Sequence, residues 1–283
     1  LWDDRPERRS TGDDPEAPEA MAQTTSDQVT TRSSPDAGAA APQAVQTPTP
    51  RAPGRWERWW AVRFYRSSIG KKWVMAVSGI VLLSYVFFHM LGNFKVYLGR
   101  DEINHYAEWL RTLLVPFFPR TVTLWLLRTG LIAAFFGHIV AAYQLTRMNQ
   151  RARPVKYQSP RDYVAANYAS RTMRWTGVII GLFVIFHLLD LTWGTANSHF
   201  VRGDVYDNLL HSFQRPLVAA VYIVANLALA VHIYHGAWSM FQTLGWNNPR
   251  FNPWRRYFAT AFAVVIGVGN ISFPVMVLAG VIH

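Results

Sequence analysis

Residues 68–99 read SIGKKWVMAVSGIVLLSYVFFHMLGNFKVYLG. Between Lys72 and Lys95 this stretch runs 22 residues without a formal charge. About 20 predominantly apolar residues suffice to cross a hydrocarbon core of about 30 Å as a helix. Near the far end of the run lies one histidine, His89. An ionisable side chain inside such a span is costly, and that cost marks it as a candidate functional group.

The same arrangement recurs along the chain. Four further spans are predicted at about 122–146, 175–195, 217–241 and 257–282, after the first at about 73–94. Each is long enough to cross a bilayer at about 1.5 Å per residue. The fold class expected is all-α, an integral membrane bundle of five transmembrane helices.

The chain has 283 residues, a formal net charge of +11 and no cysteine. Lack of cysteine rules out disulfides, and rules out thiolate-bound zinc or iron–sulfur sites formed by this chain alone. The 51% apolar content conceals two unlike parts. Residues 1–54 are rich in Pro, Ala, Ser, Thr and acids and read as a disordered tail, because such a segment buries too little apolar surface to offset its ordering entropy. Met21 opens a second start, MAQTTSDQ, which makes residues 1–20 dispensable in this reading. Residues 55–283 form the membrane domain, entered through the basic, aromatic run RWERWWAVRFYRSSIGKK, which reads as an interfacial belt.

The net positive charge could point to nucleic acid, but the basic residues fall mainly between hydrophobic spans. Lys and Arg number 17 in 51–72, 147–174 and 243–256 together, against six in 95–121 and 196–215. Positive-inside counting therefore puts the N-terminus in the cytoplasm and the C-terminus outside.

One histidine falls in each of the first four spans: His89, His138, His187 and His232. With alternating helix directions, His89 and His187 come to lie about 8–12 Å below the outer surface, and His138 and His232 about 12–14 Å above the inner one. A lone buried histidine is commonly a hydrogen-bonded core residue, but four in consecutive spans, paired by depth, call for more. Two imidazoles at one level across a bundle suit bis-histidine ligation of haem. Zinc or copper would want three or four ligands at one depth. A proton relay would want more carboxylates than Asp190 supplies. His235 competes with His232, three residues away on the same side of the helix. Gly236 follows one turn after His232, where a flat ring could approach the backbone.

These residues resemble a known family. The histidine ladder and the motifs SSIGKKWVMAVSGI, HMLGNFKVYLG, HLLDLTWG and HGAWSMFQTLGW are similar to the cytochrome b membrane-anchor subunit of succinate dehydrogenase and fumarate reductase, in its single-chain, two-haem form. The likeness covers about 66–282. It implies two b-type haems, with His138 and His232 holding the proximal one and His89 and His187 the distal one. It also implies an iron–sulfur subunit docked on the cytoplasmic face, an FAD-bearing flavoprotein beyond it, and a membrane quinone, commonly menaquinone, as electron acceptor. The family's spacing of histidine, three residues and glycine in the fourth span supports His232 over His235. The cell expected is a bacterium, and the location its plasma membrane.

Further candidates carry weaker roles. Arg128, deep in the second span, needs an anionic partner, either a haem propionate or Asp190. Glu102 and Glu108, between the first two spans, are candidates for proton exchange with a quinone, or are simply solvated. Ser68, Lys71, Lys72 and Trp246 lie on the expected docking side. His105, His199 and His211 are expected to be exposed. Two other functions stay open at this point: a bis-haem anchor of a hydrogenase or formate dehydrogenase, and a haem-free transporter or assembly protein.

Overall fold

The structure is a computed structural model and describes residues 59–152, 164–246, 248–250 and 252–283. The tail predicted over 1–54 lies outside the described residues. Among the described residues five helices are long and apolar enough to cross a membrane. They are α2 (Ser68–Asn93), α4 (Val122–Arg151), α5 (Val164–Leu191), α7 (Pro216–Thr243) and α8 (Asn252–Leu278). Among the described residues three short α-helices accompany them: α1 (Trp60–Arg66), α3 (Arg100–Arg111) and α6 (Val205–Phe213). Among the described residues there is no strand.

Local chemistry sets the helix ends. The Ser67 hydroxyl accepts from the Gly70 amide at 2.9 Å and caps α2. At Gly70 the backbone of α1 comes so close that a Cβ would collide with the Phe64 carbonyl group. Pro216 opens α7 at a position where its missing N–H costs nothing. The third span both begins and ends earlier than the predicted 175–195: α5 ends at Leu191, and Gly194, at φ +79°, turns the chain away. The fifth begins earlier than predicted, at Asn252, and continues through Pro274 to Leu278.

The packed centre lies between α2, α7 and α8, where Met90, Ile233, Ile266 and Phe273 are all buried. Large apolar side chains elsewhere on the spans face outward, such as Leu126 on α4 and Leu182 on α5. That distribution suits a chain solvated by lipid tails rather than water. The most extensive contacts run α7 with α8, α2 with α4, and α5 with α7. Among the described residues α4 packs on α2 but makes no comparable contact with α5 or α7.

The connection between the first two spans contains the amphipathic helix α3. It packs against α6 at one end of the bundle. Asn104 holds the two together. Its Oδ1 accepts from the Val205 and Tyr206 amides at 2.8 and 3.2 Å, and its Nδ2 donates to Asp204 at 3.0 Å. Asn104 thus caps α6 from another helix, while Asp204 caps it locally through the Asp207 amide. Replacing Asn104 with Leu should cost about 1–3 kcal/mol, because the α6 amides lose their acceptor. Hydrogen exchange is the check: the first-turn amides of α6 should exchange faster while those of α8 stay protected.

Candidate functional site

The four span histidines lie in two facing pairs. His89 on α2 and His187 on α5 have ring centres 5.9 Å apart, near the end carrying α3 and α6. His138 on α4 and His232 on α7 have ring centres 6.4 Å apart, nearer the α1 end. The rings reach across the boundary between the α2–α4 pair and the α5–α7 pair. His235 takes a different direction: its ring packs on Tyr234 at 5.0 Å, and its buried Nδ1 has no hydrogen-bond partner among the described residues.

Three of the histidines have their tautomer fixed by a hydroxyl. The Ser78 hydroxyl donates to the Val74 carbonyl at 2.6 Å, so its lone pair accepts from His138 Nδ1–H at 3.2 Å. The Met75 carbonyl, 3.1 Å from the same nitrogen, can only accept and requires the same proton. Thr176 repeats the device on His232. Its hydroxyl donates to the Thr172 carbonyl at 2.8 Å and accepts from His232 Nδ1–H at 3.2 Å. At His187 the acceptor is the Tyr222 hydroxyl, at 3.3 Å, which itself donates to Asp190 at 3.0 Å. In each case the proton sits on Nδ1 and leaves the Nε2 lone pair free for a metal. His89 stacks on Tyr85, with ring centres 5.2 Å apart.

This donor set fits a haem iron. An imidazole nitrogen binds a transition metal at about 2 Å, so two rings on opposite sides of one ion have centres about 6 Å apart. Both pairs match that spacing. Glycines supply flat approaches. A Cβ at Gly79 would sit 3.4 Å from the His138 ring, and one at Gly177 would sit 3.7 Å from the His232 ring. Gly181, one turn beyond Gly177, and Gly236, one turn beyond His232, face open space: among the described residues no side chain or neighbouring helix comes within 4 Å of where a Cβ would lie. Among the described residues no three His, Cys, Asp or Glu side chains converge as a metal cluster.

Other sequence candidates fall apart from the pairs. Asp190 is fully buried and pairs with Arg215 at 2.6 Å, not with Arg128 as one reading expected; it also accepts from Ser212. Arg215, just ahead of α7, folds back onto the end of α5 and donates to the Ala196 carbonyl as well. Arg128 lies over the Trp125 ring at 5.2 Å. Lys71, expected on the docking surface, is buried and donates to the Tyr65 and Arg66 carbonyls at the end of α1. Ser68, Lys72 and Trp246 are exposed. His105 and His199 are exposed, whereas His211 is half-buried and stacks on His199.

Glu102 and Glu108 are tied up in ion pairs near the α3 end. Glu102 bonds Lys95 at 3.1 Å, and Glu108 bonds Arg111 at 2.9 Å and Arg120. Arg111 first, and Arg120 with it, hold the Glu108 carboxyl below the usual carboxylate range. A group kept ionised is a poor proton donor at neutral pH. A depressed folded-state pKa gives stability that is present above the unfolded value and lost as pH falls through the folded one. The melting-temperature difference between wild type and Glu108→Gln should therefore be visible at neutral pH and vanish in acid.

The residues missed by sequence reasoning are Ser78, Thr176, Tyr222 and Arg215. A signal for two of them was present. Met75-x-x-Ser78-Gly79 precedes His89 as Met173-x-x-Thr176-Gly177 precedes His187, at identical spacing. The repeated hydroxyl, glycine and histidine mark equivalent places in α2 and α5.

A family model described as succinate dehydrogenase/fumarate reductase transmembrane subunit matches residues 146–269. The match takes in α5 and α7, with His187 and His232, and most of α8. It supports a membrane subunit of that enzyme complex. No curated protein and no solved structure matches the chain.

Proposed function

We propose that this chain is the membrane-anchor cytochrome b of a succinate dehydrogenase, passing electrons from an iron–sulfur subunit through two haems b to a membrane quinone. The observation that carries the reading is the two facing histidine pairs, with three of the four Nδ1 protons fixed so that Nε2 is free. Membrane subunits of the matched family generally bind haem b and quinone. His138 and His232 would hold the proximal haem, and His89 and His187 the distal one. Bound haem would supply one-electron transfer.

The chain's own residues do the rest. Ser78, Thr176 and Tyr222 orient the imidazoles, and the apolar spans keep water from the sites. Arg128, a cation within a span, would neutralise a propionate of the distal haem. The excess of Lys and Arg at the α1 end orients that end to the cytoplasm of a bacterial plasma membrane, where the iron–sulfur and flavoprotein subunits would dock. Electrons would then enter at His138 and His232 and leave beyond His89 and His187. Quinone reduction takes up two protons there, and menaquinone is the acceptor proposed.

The test is the reduced-minus-oxidised spectrum and haem content of the purified protein. Two haems b per chain, co-purifying with an FAD-bearing subunit that oxidises succinate, is the expected result. A chain without haem overturns the reading. A two-haem chain that travels with a hydrogenase or formate dehydrogenase moves it to another complex.

A further inference from the structure

Resting on the two-haem reading, we propose that Asp190 and Tyr222 are positioning residues that lower the redox potential of the haem held by His89 and His187, while leaving the other unaffected. The three hydroxyls that receive an Nδ1 proton pass it on differently. Ser78 and Thr176 donate onward to the Val74 and Thr172 carbonyls, which are neutral peptide groups of their own helices. Tyr222 donates onward to a carboxylate. Among these three chains of hydrogen bonds, only that of His187 ends on a formal charge.

The surroundings preserve that charge. Asp190 has no exposed surface, and its carboxylate is held by Arg215, Ser212 and Tyr222. Tyr222 is 4% exposed, with its ring clamped between Phe213 and Phe183 at centre distances of 4.8 and 5.0 Å. Its hydroxyl therefore has no water to turn to. A hydrogen bond toward a carboxylate raises the electron density of a ligating imidazole. A more basic axial ligand favours ferric over ferrous iron, so the potential falls. Arg215 moderates the effect without cancelling it, because Asp190 contacts the phenol directly and Arg215 does not. The equivalent position in the first repeat, Gly92 for Asp190, carries no side chain, so the device exists on one histidine of the pair.

Redox titration of the purified complex, followed optically and by electron paramagnetic resonance, tests this. Tyr222→Phe keeps the ring and deletes the relay; Asp190→Asn keeps the shape and deletes the charge. Each should raise the midpoint of the haem that is lost in His187→Ala, and shift the low-spin g-values of that haem. The haem lost in His138→Ala should keep its midpoint in both variants. If Tyr222→Phe does not retain its haem, Asp190→Asn decides alone. An unmoved midpoint in the deciding variant overturns the proposal, as does a joint shift of both haems, which would signal general loosening. A wild-type chain without haem would instead sink the underlying reading, before any variant is made.

Discussion

His187→Ala should yield a protein with one haem b in place of two, losing about half of its reduced absorbance while the remaining haem keeps its spectrum. His187 and His89 face each other across α2 and α5, and neither ring has a second histidine partner at that level. Removing one imidazole leaves the other as a lone ligand, and the substitution does not reach the pair formed by His138 and His232. His89→Ala should therefore give the same spectrum as His187→Ala. His138→Ala and His232→Ala should share the complementary one. His235→Ala should keep both haems, since its ring packs on Tyr234 and not on His138. Haem quantification by pyridine haemochrome, with low-temperature spectra of the five variants, makes the comparison. Loss of both haems or of neither from a folded His187→Ala protein would contradict the pairing.

The parts of this structure readable in the sequence are those governed by one-dimensional rules. Hydropathy found the five spans because lipid requires about 20 apolar residues per crossing, whatever they pack against. A fixed rise per residue put His89 level with His187 and His138 level with His232, and these are the rings that face each other. What failed depended on chain reversals. Asp190 was one of two anionic partners offered for Arg128, but the connection after α5 carries Arg215 back to the carboxylate. Hydropathy does not reveal helices α3 and α6, because they are short and α3 is richly charged. Their stability rests on the bridge from Asn104 to the α6 amides, a contact about 100 residues distant in sequence. Tyr222 was hidden for a similar reason. A tyrosine in a span reads as an ordinary aromatic until the carboxylate below its hydroxyl is placed.

Arg215→Leu should be among the most destabilising single changes in the chain, by about 3 kcal/mol, and Asp190→Asn should relieve much of that loss. Asp190 is wholly buried, and Arg215 is its only cationic partner among the described ion pairs. Breaking a buried pair from one side leaves an uncompensated charge and costs about 3–5 kcal/mol. The lower end applies because the Arg215 side chain is 37% exposed and partly screened by solvent. That exposure also makes the two single variants unequal. In Asp190→Asn the orphaned guanidinium has a route to water and keeps the Ala196 carbonyl as an acceptor. In Arg215→Leu the carboxylate has no such route, and Ser212 and Tyr222 supply hydrogen bonds but no countercharge. Arg215→Lys should fall between, since an ammonium replaces the charge but not the fork that reaches Asp190 and Ala196 together. Thermal unfolding in detergent, followed by tryptophan fluorescence, should rank the double variant close to Asp190→Asn and well above Arg215→Leu. The two costs would then be strongly non-additive, as expected for groups in direct contact. Simple addition of the single effects in the double variant would show that Arg215 stabilises this end of the bundle through its carbonyl contact, and not by neutralising Asp190.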